Sequence, residues 1–282
     1  MHHLAPLLLT LLIFAPAVAS AQQGADGEEA SEEPGYRTVV RGRRPARAAS
    51  DWTLVIGVER AAPAAGATAA DLLPLAPGVH ISQHSGRGKA HQIFLRGFDA
   101  AHGRDVEIRA GGMPVNDVSN VHGQGYADLG FLIPEVVLKM RVQEGTHDPR
   151  QGDFAVAGSI GLDLGLSRRG LLARTSAGTH GLWRAMLAWG PRSQSEETFL
   201  AAELATGDGF GPARAWRRAS VIGQAEVGLT EDLRLRLLAS SYAGRFDSAG
   251  VLRLEDYAAG SKGFYDAGAA QQGGDAGRHQ AL

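Results

Sequence analysis

Leu182-Trp183-Arg184-Ala185-Met186-Leu187-Ala188-Trp189 reads with a period of two. Trp183, Ala185, Leu187 and Trp189 fall on one face, as in a β-strand whose successive side chains point to opposite sides. Six residues at ~3.3 Å set the two indoles about 20 Å apart. That is close to the separation of the aromatic girdles that flank the ~25 Å outward apolar band of a transmembrane β-barrel. The alternation recurs at Ala219, Val221, Gly223, Ala225 and Val227, opposed by Ser220, Gln224 and Glu226, and at Leu233, Leu235 and Leu237, opposed by Arg234 and Arg236. A soluble β-sandwich would alternate in the same way, whereas paired tryptophans and weak, small-residue apolar faces suit a barrel wall better.

The rest of the composition narrows the class. The chain has 282 residues, 38 glycines, 12 prolines, no cysteine and a formal net charge of −2. Without cysteine there is neither a disulfide framework nor a thiolate metal site. The balanced charge lacks the basic excess of a nucleic-acid binder, so no nucleic-acid partner is expected. Beyond the first twenty residues no apolar run approaches the ~18 needed for a helical span, which leaves strands as the only route across a membrane.

The N-terminus reads as an exported leader. Leu4 to Ala19 is apolar and short, and Ala19-Ser20-Ala21 supplies a small-x-small cleavage site, which makes residues 1–21 a signal peptide. The stretch from Gln22 to Pro34 carries Asp26, Glu28, Glu29, Glu32 and Glu33 with almost nothing to bury, so it is expected to be disordered. Within residues 22–50 stands one β-prone island, Tyr36-Arg37-Thr38-Val39-Val40-Arg41-Gly42. Such an isolated extended segment suits strand addition to another protein's sheet edge, the other reading being a first edge strand of the folded domain.

From Asp51 to about Gly165 the pattern is that of a small mixed α+β unit. Ala67 to Leu75 is expected as a short helix with Thr68 as N-cap and Leu72 and Leu73 buried. Strands are expected at Val79–Ser82, Gln92–Gly97, Val106–Arg109 and Lys139–Gln143, with a further short helix around Pro134-Glu135. The long glycine-rich loops between them carry no catalytic signature. Gly86-Arg87-Gly88 and Gly123-Gln124-Gly125 both lack the third glycine of a dinucleotide fingerprint, Gly88-Lys89 lacks the Ser or Thr of a phosphate loop, and neither Gly-x-Ser-x-Gly nor His-Glu-x-x-His occurs. The chain is therefore read as not an enzyme. His80, His84, His91, His102, His122 and His147 all fall in this unit, but no carboxylate stands at a fixed offset from them, and neither a metal site nor a cofactor is assigned.

Six segments in order carry a resemblance: Leu72-Leu73-Pro74-Leu75-Ala76-Pro77-Gly78-Val79, Ile93-Phe94-Leu95-Arg96-Gly97-Phe98, Gly112-Met113-Pro114-Val115, Leu132-Ile133-Pro134-Glu135-Val136, Arg141-Val142-Gln143-Glu144-Gly145, and Gln151-Gly152 followed by Ala157-Gly158-Ser159-Ile160. Together they resemble the plug domain of TonB-dependent outer-membrane receptors. The chain departs from the family pattern at Gly111-Gly112, where an Asp-Gly pair is usual, and at Arg41 in the N-terminal island. The resemblance implies an α+β plug over residues 51–165, a small mixed sheet with short helices. Residues 166–282 would then be antiparallel β-strands of an incomplete transmembrane β-barrel.

It further implies an energy-coupled outer-membrane receptor of a Gram-negative bacterium, importing a siderophore or other metal chelate, or a cobalamin-like molecule. Its partners would be outer-membrane lipid and TonB with the inner-membrane energising complex, and Thr38, Val39, Val40, Arg41 and Gly42 would be the TonB box. Ligand contact is expected from loop residues His84, Arg87, His102, Arg104, His122 and Tyr126, while Arg96 would pair with barrel-wall carboxylates as a structural anchor. At ~10 residues per strand the stretch after Gly165 holds five or six strands, against about 22 in barrels with a plugged lumen. The sequence therefore reads as a fragment of a longer receptor. The alternative is a non-transporting periplasmic plug or signalling module that binds TonB.

Overall fold

The computed structural model describes residues 53–57, 66–83, 86–230, 232–268 and 272–281. The expected signal peptide, the expected TonB box and His84 lie outside these residues. Eight strands come first: β1 (Thr53–Gly57), β2 (Val79–Ser82), β3 (Gln92–Leu95), β4 (Phe98–Asp99), β5 (Val106–Ala110), β6 (Met113–Pro114), β7 (Val137–Glu144) and β8 (Gly158–Leu164). They form a five-stranded sheet in the order β1-β7-β8-β5-β6 and a three-stranded sheet β2-β3-β4. The β5–β8 pairing is parallel and the others are antiparallel.

Both expected helices form, as tight 3₁₀ turns. Ala69–Leu75 follows Thr68, whose N–H donates to the Asp71 carboxylate at 2.7 Å, and it buries Leu72 and Leu73 as expected. Pro74 is accommodated within this helix, which ends at Leu75 as expected. Pro134–Val136 starts with proline at its first position, where a missing N–H costs nothing. The four expected strands are present, while β1, β4, β6 and β8 were not anticipated: β4 and β6 have two residues each, and Thr53–Gly57 and Gly158–Leu164 are bounded by glycine.

Six long strands follow: β9 (Gly170–Ala177), β10 (Trp183–Gly190), β11 (Phe199–Gly207), β12 (Trp216–Gly228), β13 (Arg234–Ser248) and β14 (Gln272–Ala281). They pair antiparallel in sequence order as one open sheet. Trp183, Leu187 and Trp189 are exposed on its outer face while Arg184, Met186 and Ala188 are buried. The register extends each into a row. Trp189 lies beside Leu171 and Leu200, Leu187 beside Ala173 and Ala202, and Trp183 beside Ala177 and Thr206. Thr206 in turn pairs with Arg217 and Arg217 with Arg245, so this row passes from tryptophan to arginine at the margin of the apolar band. Exposed Leu200, Leu204, Val221, Leu235 and Leu237 complete the band. A face this broad and apolar needs cover, and its girdled, alternating pattern is that of a lipid-facing barrel wall. No described helix is long and apolar enough to cross a membrane.

The inner face packs on the first eight strands. Met186, Ala188, Phe199, Ala201, Ile222, Leu238 and Tyr242 from the wall join Ile108, Phe131, Leu132, Ile133, Met140, Ile160 and Leu162 in one buried core. Buried Asn116 locks the loops above it, accepting the Ile108 N–H at 2.7 Å and donating to the carbonyls of Gly103, Val106 and Gly125 at 2.9, 3.0 and 3.1 Å.

Leu187 sits between the two tryptophan rows, two residues from Trp189 and four from Trp183. Leu187→Arg is expected to cost about 2–4 kcal/mol of folding free energy in lipid vesicles, the price of a cation near the bilayer midplane. Urea titration of vesicle-inserted protein should show that loss, whereas Ala177→Arg, in the row that already ends in Arg217 and Arg245, should cost under about 1 kcal/mol.

Candidate functional site

Two features join the eight-stranded N-terminal part, residues 53–164, to the wall: a buried chain of charges and a cavity above it. The charge chain starts at Glu135 in the Pro134–Val136 turn. Arg184 of β10 donates Nη1 and Nη2 to the two Glu135 oxygens at 2.8 and 2.7 Å, and its Nε donates to Glu203 of β11 at 2.6 Å. Arg218 of β12 donates Nε to the other Glu203 oxygen at 2.7 Å. Register explains the array: Arg184 and Arg218 both pair with Ala205, so they flank Glu203 from the two neighbouring strands on the inner face. Arg174 of β9 adds a bond to Glu135 at 3.0 Å.

The far end of the chain holds backbone. Arg218 Nη2 donates to the Ala67 carbonyl at 2.6 Å and Nη1 reaches the Gly66 carbonyl at 3.4 Å. Arg184 side chain is 1 % exposed and that of Glu203 is 2 %. Burial would push the Glu135 carboxyl up, but the hydrogen bonds and charge of Arg184, with Arg174 behind them, outweigh it and hold the group below the usual carboxylate range. A second tie runs from Arg278 of β14, whose Nη2 donates to the Val115 carbonyl at 2.7 Å and to Asp117 at 2.9 Å.

The cavity, of about 780 Å³, opens at the end of the wall where β11 turns into β12 and β13 into β14. Gln83, Gly86 and Arg87 close one side, and Phe210, Arg214 and Trp216 another. Leu254 and Tyr257 from the helix α1 (Leu254–Ala258), with Phe264 and Tyr265 beyond it, form the third. The loop behind it is pressed on the wall at Gly88, where φ is +93° and an added Cβ would stand 2.1 Å from the Phe246 ring, so only glycine fits. Arg87 lies over the Trp216 ring at 4.9 Å, and Arg218 over the same ring at 5.4 Å. Burial and the Arg218 charge both push the Arg87 guanidinium below its ordinary value.

The sequence-expected ligand residues divide. Arg87 lines the cavity. His102, His122 and Tyr126 gather elsewhere as a ring cluster, with centroids 4.7 Å apart for the histidine pair and 5.9 and 5.6 Å from each to the tyrosine. Ala90 fixes that cluster, its N–H donating to the Tyr126 hydroxyl at 2.6 Å and its carbonyl meeting His102 Nδ1 at 2.9 Å. Burial pushes the Tyr126 phenol up to about 12. Arg104 is exposed and pairs with neighbouring Asp105 at 3.2 Å. Among the described residues no group of three or more His, Asp or Glu is placed to hold a metal ion.

Arg96 corrects an expectation. It pairs with Glu144 of β7 at 2.8 Å, a carboxylate of the five-stranded sheet and not of the wall. The ties to the wall run instead through Glu135 and through wall arginines, with the charges reversed. The sequence reading missed Arg184, Glu203 and Arg218, although Arg184 and Glu203 are each the one charge of an otherwise small or apolar strand, at an inward position. It also missed Phe210, Arg214, Trp216, Tyr257, Phe264 and Tyr265. The signal for Phe210, Tyr257, Phe264 and Tyr265 was their concentration in the two segments between strands that break the dyad alternation.

Comparison with known proteins fits this geometry. Residues 46–159 match the family model described as the TonB-dependent receptor plug domain. Among solved structures the chain is similar to the copper transporter OprC, at 23 % identity over 72 % of this chain and 32 % of that one, with a TM-score of 0.53. It is similar to the ferric citrate transporter FecA at 18 % identity over 73 % and 33 %, TM-score 0.55. The ferric yersiniabactin uptake receptor FyuA from Yersinia pestis matches at 18 % identity over 72 % and 33 %, TM-score 0.50. These identities establish a shared fold, and the chain spans about a third of the length of the structures it matches.

The depressed Glu135 gives a pH signature. Its docking contribution is complete above the ordinary carboxylate value of 4.5 and is lost as the pH falls through the lower, folded value. Limited proteolysis of the solubilised protein should show residues 53–164 protected at neutral pH and progressively cleaved as the pH is lowered below 4.5. Glu135→Gln, which leaves Arg184 buried and half paired, should lose about 3–5 kcal/mol of stability at neutral pH and show a flatter profile in the acid window.

Proposed function

We propose that this chain, whose residues 46–159 are a TonB-dependent receptor plug domain, serves energy-coupled import of a scarce ligand across the outer membrane of a Gram-negative bacterium. On this reading residues 1–21 are the export signal, 22–50 the periplasmic segment with the TonB box, 51–165 the plug and 166–282 barrel wall. The family works by transport and not by catalysis, and no residue is assigned a catalytic role.

The observation that carries the reading is the cavity that plug and wall build together. Arg87 of the plug and Phe210, Arg214, Trp216 and Tyr265 of the wall face one space, so a ligand there touches both parts at once. The apolar outer band supports lipid as the surrounding medium and counts against a free periplasmic module. In a barrel whose plug leads into its first strand from the periplasm, the segments 208–215 and 249–268 face the exterior. The cavity is then the port of entry, and the charge chain below it holds the plug against the wall until TonB pulls on the N-terminal strand.

Thr38–Gly42 is the proposed handle. Deleting it from the full-length receptor should abolish ligand uptake by whole cells while leaving surface binding intact. Undiminished uptake would overturn the coupling assignment, and lost binding would point to a structural role for the segment.

A further inference from the structure

We infer that Arg218 is a positioning residue for the coupled movement: it clamps the Gly66 and Ala67 backbone to the wall and so sets how far a pull on the N-terminal strand unravels the plug. β1 and the chain up to Gly66 come away under load, while residues from Thr68 onward stay docked. This role presupposes the energy-coupled import proposed above and adds the point at which the pull is arrested.

The clamp is built from one guanidinium. Arg218 Nε donates to Glu203 at 2.7 Å, Nη2 donates to the Ala67 carbonyl at 2.6 Å, and Nη1 reaches the Gly66 carbonyl at 3.4 Å. Both charged side chains are nearly dry, at 5 % exposure for Arg218 and 2 % for Glu203. Charge-assisted bonds are about twice as strong as neutral ones, and salt screens a buried pair far less than an exposed one. Glu203 belongs to β11, so the wall itself orients the cation that holds the two carbonyls. Sterics add to the grip. Gly66 has a φ of +78°, and an added Cβ would stand 2.9 Å from Leu182 Cδ1 and 3.7 Å from the Trp216 ring, so only glycine lets the backbone lie this close to the wall.

The chain differs in strength on the two sides of the clamp. Before it, β1 is five residues long and lies at the end of its sheet, paired among the described residues with β7 alone. A pull on Thr53 loads that ladder one pair at a time. Beyond the clamp the Asp71 carboxylate accepts the Thr68 N–H at 2.7 Å and the Thr68 hydroxyl at 3.2 Å, and the Asp71 N–H donates back to the Thr68 carbonyl at 3.1 Å. Ala69, Ala70, Leu72 and Leu73 then enter the core shared with the wall. Segments of such unequal local stability open as separate units. Position gives the clamp its consequence. Gly66 faces Trp216, whose ring also carries Arg87 and lines the cavity. Unravelling arrested at Gly66 therefore frees the chain up to the cavity and no further, and the bonds of Glu135 to Arg184 stay in place.

The test is force spectroscopy on the full-length receptor in lipid bilayers, pulled from its N-terminus. Thr53 to Gly66 is 14 residues, about 50 Å of extended chain at ~3.5 Å per residue. The first unravelling event of the wild type from β1 onward is expected to release that length, and a second event at higher force to follow. Arg218→Lys keeps a charge for Glu203 and loses the planar fork that reaches both partners. Its first event should run on to the end of β2, since Thr53 to Ser82 is 30 residues, about 100 Å of extended chain. Arg278→Gln removes a tie to the wall that involves neither Gly66 nor Ala67, and its first event should stay at the wild-type length. A wild-type event that passes Gly66 without pause, an unchanged first event in Arg218→Lys, or the same lengthening in Arg278→Gln would overturn the clamp. The wild-type length decides alone should Arg218→Lys fail to insert. Coupling is read separately, by uptake after deletion of Thr38–Gly42, so the clamp and the import reading fail by different measurements.

Discussion

Everything in this structure turns on the buried bonding of Glu135 to Arg184. A guanidinium at 1 % exposure is stable only with its donors met, and here two carboxylates from different parts of the fold meet them. Glu135 comes from a turn in the plug and Glu203 from the wall, so the requirement of one buried cation fixes how the two parts dock. Replacing such a chain by apolar residues can cost little, whereas removing one member strands a charge. Its contribution is thus better described as specificity of docking than as net stability. Hydrophobic contact among Met186, Phe199, Ile222, Phe131 and Ile133 supplies the adhesion, but apolar packing alone would tolerate sliding along the wall.

The same chain ties docking to the cavity. Arg218, the last cation of the series, binds the carbonyls of Gly66 and Ala67, directly before the Thr68 cap of the plug's first helical turn. It shares the Trp216 ring with Arg87, which lines the cavity. Cavity lining, wall and the start of the N-terminal part are therefore within one set of contacts.

Much of this was legible in the sequence because it is written in period and in local chemistry. Dyad alternation located β10, β12 and β13 and put Trp183, Leu187 and Trp189 on one face, and Thr68, Leu72, Leu73 and Pro134 marked the two short helical turns. What was not legible depends on pairing across distance. Nothing local says that Arg184 and Arg218 both lie opposite Ala205 and so bracket Glu203; that follows from two strand registers at once. Arg96 was assigned to the wall by the resemblance alone, while Glu144 is brought to it by the fold. Of the residues expected at the ligand, His102, His122 and Tyr126 form a ring cluster apart from the cavity that Arg87 lines. Phe210, Phe264 and Tyr265 of the cavity sit in segments between strands, where no period exists to be read.

A double-mutant cycle across the plug–wall boundary tests the central claim most directly. Glu135→Gln, Arg184→Met and the pair would be compared by urea unfolding of the protein in lipid vesicles. If the buried bonding of Glu135 to Arg184 fixes the docking, the two losses will be strongly non-additive, with a coupling energy of about 1.5 kcal/mol or more and the double variant more stable than Glu135→Gln alone. Additive losses, with coupling under about 0.5 kcal/mol, would mean that the plug is held by apolar contact alone and would contradict the account.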